Sequence, residues 1–502
     1  MGLNYISVIG LEIHIQLNLK NKMFSPERFS YGAISNTLIS NITKAYPGTL
    51  PQFNNNVIES AVKLGLSCNC NITNLNYFSR KNYFYPDLPK GYQITQDDTP
   101  ICRNGRIYFD VNDVEKYVNL TRIHIEEDTA NLKVVKKAND IQSYSKDNIY
   151  NNNSDEIFID YNRCGVALLE LVTEPEFRTS DEVFSFLHEL RRLVRFLNIS
   201  NGNMEEGSLR CDVNISLMKE NDDKFGNRVE IKNINSISNV KNAIEFEILR
   251  QANLLDNCKN VDIETRMFIA EDNSTKKMRS KESSDDYHYI RDYDLNPIYI
   301  SNDQIDEIRN KMTLLPREYK KKLINEYHLS KSIAEIFIED IPLLKYFEDI
   351  CNCNNFKNYD KVSNWLLGPI KGILNEYKLE VDDIKIPKKN IVELIKLVID
   401  NKVNYTTASQ VILKQMFENP DKTPIDIAKE LNLIQDLEED NIKILVEEVL
   451  EKYKDRIEEY KNGKKGLLGV FIGEVIKNSN GKANPVLVKN LILTNLLKKS
   501  TF

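Results

Sequence analysis

Three stretches of the chain alternate charged or histidine side chains with apolar ones, and this alternation constrains the fold more than any other feature. The stretches span residues 10–17, 121–128 and 204–216. Successive side chains of a β-strand point to opposite faces, so Glu12, His14 and Gln16 share one face of the first predicted strand, and its leucines and isoleucines share the other. The pattern predicts a sheet with one packed face and one face that carries acids, imidazoles and arginines.

Length and composition are typical of a globular protein with several domains. At 502 residues the chain is longer than one hydrophobic core usually supports, so two to four domains are expected. A formal charge of −7 argues against a uniformly basic protein that coats nucleic acid. No apolar run approaches the roughly 18–20 residues that span a bilayer, and the start of the chain lacks a signal-peptide pattern. The eight cysteines lack paired CxxC spacing, so we expect a cytoplasmic protein with reduced thiols and no membrane association.

The pattern of the chain changes near residue 300. Before that point, strand-like alternation recurs with turn dipeptides, interrupted by two predicted helices, the first of which has Ser180 as its cap. After it, amphipathic helical patterns follow one another, and prolines mark the breaks between them. A further boundary falls near Asn404, and the last section passes from an acidic middle to a lysine-rich end.

The polar face of the predicted sheet carries a candidate metal site. Glu12 and His14 lie on one strand, and Glu126 and Glu127 on another. Hard divalent cations such as Mg²⁺ prefer carboxylate oxygens, and an imidazole is an acceptable further ligand for Mg²⁺ or Mn²⁺. The alternative is a solvated polar face with incidental histidines. Two such strands favour the metal site, and further acids support it, namely Glu205, Glu206 and Asp212.

Cationic segments elsewhere are candidates for binding phosphate. Residues 79–94 combine aromatics, prolines and cations, which suits either a rigid phosphate-binding loop or a proline-stiffened crossover with its aromatics in the core. Glu230 and Lys232 share a strand face, and residues 278–289 gather Arg279 and Lys281 with several acids. Such a charge run is also typical of a solvated loop. The chain has no P-loop, dinucleotide-binding or protein-kinase signature, so an ATP site here would be of another kind.

The lysine-rich end is a candidate contact for RNA. Residues 463–473 and 481–485 offer glycines and lysines that could neutralise phosphates without reading sequence. The alternative is an ordinary basic helical surface.

Several long motifs resemble the GatB family, which comprises the B subunits of the tRNA-dependent amidotransferases. They occur in the expected order over essentially the whole chain: VIGLEIHIQL (8–17), RKNYFYPDLPKGYQI (80–94), TRIHIEED (121–128), DYNR (160–163), ELVTEP (170–175), MEEGS (204–208), RVEIKNINS (228–236), MRSKE (278–282) and GKANP (481–485).

The resemblance implies a fold and an activity. The implied fold is α+β, with a cradle-like catalytic domain of mainly antiparallel sheet at residues 1–297, an all-helical domain at 298–404 and a helical, YqeY-like tail at 405–502 that binds tRNA. The implied activity uses ATP and Mg²⁺, with Mn²⁺ as a substitute, to phosphorylate the side-chain carboxylate of Glu-tRNA(Gln) or Asp-tRNA(Asn). Ammonia from a glutaminase, the A subunit, then displaces the phosphate, and the heterotrimer is completed by a small third protein, the C subunit.

The resemblance also implies roles for individual residues. The metal would be held by residues on the alternating strands and a nearby loop: Glu12, His14, Glu126, Glu127, Glu205 and Glu206. Catalytic roles in steadying phosphates or orienting a water would belong to Arg210, Asp212, Glu230, Lys232, Arg279 and Lys281. ATP would be contacted by Lys81, Tyr83, Tyr85, Lys90 and Ser208.

One departure from the family pattern concerns zinc. Many members carry four cysteines shortly after the Glu-x-His strand, whereas residues 22–32 and 39–48 of this chain contain none. Cys68 and Cys70 alone cannot complete a tetrahedral site. We therefore predict no zinc, as in the zinc-less branch of the family.

Two other functions compete with the amidotransferase. Clusters of acids and histidines also serve metal-dependent phosphohydrolases and nucleases. A tRNA-binding paralogue without amidation activity is the second alternative. The chain lacks the Ser-Ser-Lys signature of amidases, so ammonia must come from a partner or from free ammonium.

Overall fold

A computed structural model describes most of the chain, in two compact units of residues 1–316 and 317–502. The described residues are 5–83, 85–135, 141–143, 156–219, 222, 224–280, 288–434, 439–461, 463–479 and 483–498. The predicted division into three domains, with boundaries at 297/298 and 404/405, stays a prediction. None of the helices in the described ranges combines the length and apolarity needed to cross a bilayer.

In the residues that the structure describes, the first unit is built on β-strands with four α-helices. Its strands are β1 Tyr5–Gln16, β2 Asn71–Ile72, β3 Leu75–Asn76, β4 Ser79–Asn82, β5 Tyr92–Thr95, β6 Cys102–Arg103, β7 Arg106–Val111, β8 Val114–Glu127, β9 Asn131–Val135, β10 Ile141–Ser143, β11 Glu156–Asp160, β12 Ala167–Thr173, β13 Leu209–Lys219, β14 Val229–Lys232, β15 Glu264–Ile269, β16 Ser274–Ser280, β17 His288–Arg291 and β18 Ile298–Tyr299. Its helices are α1 Asn56–Ser67, α2 Ser180–Phe196, α3 Ile237–Asp256 and α4 Asn302–Lys311.

A ten-stranded sheet forms the centre of this unit. Its order is β16-β15-β14-β13-β1-β12-β8-β6-β2, with β7 paired to β8. Every pairing in it is antiparallel except β14 with β15. Smaller sheets have the orders β10-β9-β11, β17-β4-β5 and β18-β3. The predicted α+β class with a mainly antiparallel N-terminal sheet is confirmed.

The alternation in β1 explains why this strand lies at the centre of the sheet. Ile9, Leu11, Ile13 and Ile15 are fully buried or nearly so, and α2 and α3 belong to the same core. Removing this apolar surface from water contributes about 25 cal/mol per Å² to folding. The opposite face of β1 keeps its charged side chains partly accessible, as the sequence pattern predicted.

The start of helix α2 is fixed by a capping box at its first turn. The helix starts at Ser180, but the cap is Thr179, whose hydroxyl accepts a hydrogen bond from the Glu182 backbone N–H. The Glu182 carboxylate in turn accepts from the Thr179 N–H, which completes a capping box. The prediction that Ser180 is the cap was therefore wrong by one residue.

The second unit is helical in the part that the structure describes. Its α-helices are α5 Pro316–Asn325, α6 Lys331–Glu339, α7 Ile341–Asn352, α8 Tyr359–Trp365, α9 Lys371–Tyr377, α10 Lys388–Ile399, α11 Tyr405–Thr407, α12 Leu413–Glu418, α13 Pro424–Glu430, α14 Glu439–Lys452, α15 Lys454–Lys461, α16 Leu467–Asn478 and α17 Pro485–Lys498. Short 3₁₀ turns cover Cys353–Asn355 and Val381–Asp383, and π turns cover Leu366–Ile370 and Ala408–Ile412. Helices α14 to α17 share a core of their own around Val446, Phe471 and Val488.

Candidate functional site

Four polar side chains form a row across the polar face of the ten-stranded sheet. Arg210 of β13 lies opposite His14 of β1. In β12, Glu170 lies opposite His14 on one side and opposite His124 of β8 on the other. Residues paired in an antiparallel sheet have side chains on the same face, so the register brings together groups that are far apart in the sequence.

The centre of this row is a cluster of two imidazoles and two carboxylates. His14 Nε2 is 3.1 Å from Glu126 Oε1 and 3.2 Å from Glu170 Oε2. His124 Nε2 is 3.4 Å from Glu170 Oε2 and 3.9 Å from Glu126 Oε2. The ligand atoms of His14, Glu126 and Glu170 all lie within 4.8 Å of one another, and among the described residues they form the one group of three or more suited to a metal ion.

The histidines and glutamates of the cluster shift one another's pKa values. Burial acts to lower the pKa of His14, but hydrogen bonds to Glu126 and Glu170 outweigh it and raise that pKa to about 10. The pKa of His124 is raised to about 9 for the same opposing reasons. Burial acts to raise the pKa of each glutamate, yet the two histidines hold the pKa of Glu126 at about 2 and that of Glu170 well below its usual range. Without a metal, imidazolium ions balance these carboxylates.

The donor set fits a hard divalent cation. Two carboxylate oxygens and one imidazole nitrogen are available on three neighbouring strands, which are rigid elements. A dication bound there would replace the positive charge of the imidazolium ions. The chemistry of the donors suits Mg²⁺ or Mn²⁺ better than a thiol-preferring metal.

A second row lies beside the first on the same face. Glu12 lies opposite Asp212, and the Glu12 carboxylate accepts a hydrogen bond of 2.9 Å from Asn214 Nδ2. Lys232 Nζ is 2.8 Å from Asp212 Oδ2 and 3.3 Å from Glu230 Oε1. Burial, together with the nearby Glu170 and Asp212 charges, raises the pKa of Glu12.

An arginine pair borders the cluster. Arg163 Nε is 2.6 Å from Asp128 Oδ2, and Arg210 Nη2 is 3.0 Å from Asp128 Oδ1. Burial acts to raise the pKa of Asp128, but the two guanidinium groups hold it at about 2. Burial and the neighbouring Arg210 charge lower the pKa of Arg163.

Glu127 makes contacts that differ from those of its neighbour Glu126. Adjacent residues of a strand face opposite sides, and the Glu127 carboxylate accepts a hydrogen bond of 2.7 Å from the Ile94 N–H and pairs with the Lys90 ammonium. Lys90 also lies 5.2 Å from the Tyr92 ring centroid. Glu127 and Lys90 are thus held together, outside the group of three metal-ligand candidates.

The loop that ends at Ser208 keeps its acids apart from the cluster. Glu205 is exposed, and Glu206 accepts a hydrogen bond of 3.1 Å from Asn201 Nδ2. Ser208 is buried, and its carbonyl accepts a hydrogen bond of 2.8 Å from the Gln16 N–H.

The other predicted ATP contacts lie on or near β4. Lys81 is paired in register with Tyr289 of β17 and Gln93 of β5. Tyr83 packs against a small cluster that includes Leu88, and burial raises its pKa. Tyr85 is half-buried in the following loop.

Two predicted phosphate contacts fall partly or wholly beyond the described part of the chain. Arg279 has its backbone in β16, opposite Thr265, while its side chain lies outside the described part. Lys281 lies outside the described residues altogether. The roles of all the predicted site residues stay predictions.

The sequence patterns did not single out Glu170 or Arg163 as site residues, and they placed His124 on the polar face without assigning it a role. A signal for Glu170 exists, because it is the one charged residue in the strand ALLELVT. His124 alternates with Glu126 in β8, as His14 does with Glu12 in β1. Arg163 lies in a turn after β11, where no periodicity marks it.

Comparison with known proteins identifies the family of this chain. Residues 7–306 match the GatB/GatE catalytic domain family, and residues 345–496 match the GatB domain family. A relative from Geobacter sp. (strain M21) is 39% identical over 498 residues, which cover 98% of this chain and 100% of the relative. A relative from Clostridium novyi (strain NT) is 38% identical over 495 residues, with 98% and 100% covered.

Both relatives carry the name of the B subunit of aspartyl/glutamyl-tRNA(Asn/Gln) amidotransferase, as does one from Persephonella marina that is 39% identical over 494 residues and covered to 99%. The predicted resemblance to GatB is therefore confirmed. Since the similarity extends over nearly the whole chain, the chain belongs to the GatB family of amidotransferase subunits.

Proposed function

We propose that this chain is the subunit of a tRNA-dependent amidotransferase that produces Gln-tRNA(Gln) and Asn-tRNA(Asn) by activating and amidating the misacylated side chain. Full-length similarity to subunits of that name supports the proposal. The observation that carries the chemistry is the cluster of His14, Glu126 and Glu170 with Arg210 in the same row of the sheet. It offers a cation site and a fixed positive charge side by side.

The reaction needs a good leaving group on a carboxylate. In the first step a side-chain carboxylate oxygen attacks the γ-phosphorus of ATP, so that the new O–P bond forms as the bond to ADP breaks. In the second step ammonia attacks the acyl carbon, phosphate leaves with the electron pair of the C–O bond, and the nitrogen loses one proton. Positioning and charge neutralisation account for most of the catalysis of such steps.

The residues of the sheet suit these tasks. His14, Glu126 and Glu170 would hold Mg²⁺, which when bound neutralises phosphate charge. Arg210 and Lys232 are fixed cations on the same face, each held by an aspartate at 3.0 Å or less. Glu12 and Asp212 are further carboxylates on the same face of the sheet, beside this cluster. Lys81, Tyr83 and Tyr85 are proposed contacts of the nucleotide.

The remaining predictions belong to the same proposal. The chain would act in the cytoplasm, in a heterotrimer with a glutaminase (the A subunit) and a small third protein (the C subunit), and its tail would bind tRNA. It would belong to the zinc-less branch, because Lys22 and Glu27, rather than thiols, organise the segment that follows β1.

The test supplies the purified chain with Glu-tRNA(Gln), labelled ATP and ammonium. We expect ADP release that depends on the misacylated tRNA and on Mg²⁺. Replacement Glu170→Gln should abolish it and leave tRNA binding intact, while Glu307→Gln, an exposed residue of α4, serves as the control. Phosphodiester cleavage without ATP would point to a hydrolase instead, and tRNA binding without ADP release would point to an inactive paralogue.

A further inference from the structure

Two arginines beside the sheet cluster share a single carboxylate. Arg163 and Arg210 both pair with Asp128, at 2.6 and 3.0 Å. The other polar contact of Arg163 among the described residues is neutral, a hydrogen bond of 3.0 Å from Nη1 to Asn131 Oδ1. Two guanidinium groups against one carboxylate leave one positive charge uncompensated within this trio.

Both guanidinium groups have buried donors without an acceptor in the described part of the chain. These donors are Arg163 Nη2 and Arg210 Nε and Nη2, although Arg210 Nη2 forms an ion pair with Asp128 Oδ1 at 3.0 Å. The Arg163 side chain is only 15% exposed, so leaving a charged N–H without a partner there is costly. Buried polar groups are normally hydrogen-bonded, so these donors are available to an acceptor from outside the chain.

Gly207, in the loop before β13, lies beside the Arg163 guanidinium group. Gly207 has φ +74°, and a Cβ built on it would lie 3.5 Å from Arg163 Nη1 and 3.7 Å from Nη2. Glycine adopts this conformation without strain and adds no side chain over the donors. A side chain at position 207 would be in van der Waals contact with the Arg163 guanidinium group, and glycine leaves that position open.

The position of Arg210 connects these donors to the cation site. Arg210 lies directly opposite His14 in the sheet, and Asp128 follows directly after β8, two residues beyond Glu126. A ligand that contacts each of the two guanidinium groups and the cation through a separate oxygen needs three acceptor oxygens. A phosphate group has them, whereas a carboxylate has only two.

We propose that Arg163 and Arg210 form a subsite for a phosphate-type oxyanion beside the cluster of His14, Glu126 and Glu170. The inference rests on the proposed function, in which the oxyanion has three sources: the γ-phosphate of ATP, the acyl phosphate and the inorganic phosphate that is released. Arg163 is then a binding residue in its own right, and Asp128 is a positioning residue that holds both guanidinium groups.

The test measures binding of inorganic phosphate to the full chain in the presence of Mg²⁺, by calorimetry or ³¹P line broadening, without ATP or tRNA. Loss of a charge-assisted hydrogen bond predicts that Arg163→Met weakens phosphate binding by about tenfold or more. Arg309→Met, an exposed arginine of α4, should leave the affinity unchanged. Unchanged affinity in Arg163→Met would overturn the proposal.

A second variant keeps the test decisive if Arg163→Met does not fold. Arg210 is 35% exposed, so Arg210→Gln disturbs the interior less and should weaken phosphate binding by a similar factor. Equal affinity in Arg210→Gln and in the unmodified protein would contradict the inference.

Competition distinguishes the ligand and its source. If ATP displaces phosphate while ADP and phosphate bind together, the subsite belongs to the γ-position. If ATP and ADP both displace phosphate, released phosphate does not bind together with ADP. That result would contradict inorganic phosphate as one source of the oxyanion. Glutarate tests whether the arginines bind a carboxylate instead. If glutarate binds more tightly than phosphate and displaces it, the arginines bind a carboxylate and the proposal is overturned. Because ammonium-dependent amidation is measured separately, failure of phosphate binding and failure of the proposed function are distinguishable.

Discussion

Glu170 lies directly opposite His14 in the β1–β12 ladder, and His14 Nε2 is 3.2 Å from Glu170 Oε2. The same carboxylate oxygen is 3.4 Å from His124 Nε2 on the next strand. Glu170, on the middle strand, thus contacts two imidazoles from the strands on either side, at positions 110 residues apart.

Replacing Glu170 should remove a metal ligand without unfolding the sheet. We expect Glu170→Gln to weaken Mn²⁺ binding by at least about 10- to 100-fold, since loss of even an outer partner of a metal ligand has that effect. Electron paramagnetic resonance of free Mn²⁺ measures this directly. Glu174→Gln, whose carboxylate bonds the Thr121 hydroxyl at 2.7 Å, is the matched control. If both variants bound Mn²⁺ equally well, Glu170 would not be a ligand.

Lys22 should stabilise the segment that follows β1. Its side chain is fully buried, its ammonium donates a hydrogen bond of 2.9 Å to the Leu38 carbonyl, and it lies 3.7 Å from Glu27. Breaking a buried ion pair by removing one partner costs about 3–5 kcal/mol, so Lys22→Met should lower the free energy of unfolding by about 3 kcal/mol. Urea unfolding measures it, with the exposed Lys44→Met as the control.

Removal of metals gives a second readout for the same segment. Treatment with a zinc-selective chelator in the presence of excess Mg²⁺ should leave the melting temperature of the unmodified protein unchanged, and metal analysis should find no stoichiometric zinc. A fall of several degrees that only Zn²⁺ reverses would contradict the zinc-less assignment.

Glu182 should make the stability of the first unit depend on pH in the acid range. Burial acts to raise the pKa of Glu182, but hydrogen bonds from Lys116 at 2.6 Å and from the Arg178 N–H at 2.6 Å outweigh it, so the pKa is lowered. The stability contributed by this group is therefore present above the unfolded pKa of about 4.3 and is lost as the pH falls through the folded value.

The size of the Glu182 contribution to stability follows from its role in capping α2. Glu182→Gln should reduce the free energy of unfolding by about 1 kcal/mol at pH 7, and the difference from the unmodified protein should shrink towards pH 3. Urea titrations at the two pH values measure both quantities. A difference that grew on acidification would reverse the sign and refute the assignment.

The lysine-rich tail should contribute to tRNA affinity through phosphates. Lys477 and Lys489 are exposed on α16 and α17. We expect the double variant Lys477→Ala/Lys489→Ala to bind tRNA more weakly and to reduce the slope of log affinity against log salt by about 1 for each phosphate that is no longer neutralised. Lys452→Ala is the control, because Lys452 pairs with Glu474 at 2.7 Å. An unchanged slope would exclude these two lysines from RNA binding.

Local patterns predicted the polar and apolar faces of the strands but not all of the site. Alternation places Glu12 and His14 on the polar face of β1, and the structure confirms that Ile13 and Ile15 are buried on the other. Alternation in β8 also places Glu126 on the polar face with His124 and Glu127 on the opposite face, but it does not identify the partner of either carboxylate. The ladder decides, since the Glu126 carboxylate lies 3.1 Å from His14 whereas the Glu127 carboxylate pairs with Lys90.

By itself the sequence determined the family, the α+β class and the polar face of the sheet, because motif order, periodicity and alternation are properties of the chain alone. Only the tertiary structure decided that Glu170 completes the cluster, that Arg163 shares Asp128 with Arg210, and that Glu127 belongs to Lys90 instead. The physical reason is that strand pairing is long-range. Register between β1, β8, β12 and β13 selects which polar residues become neighbours, and the hydrogen bonds and charges of those neighbours then outweigh burial in setting the pKa values of His14, Glu126 and Glu170.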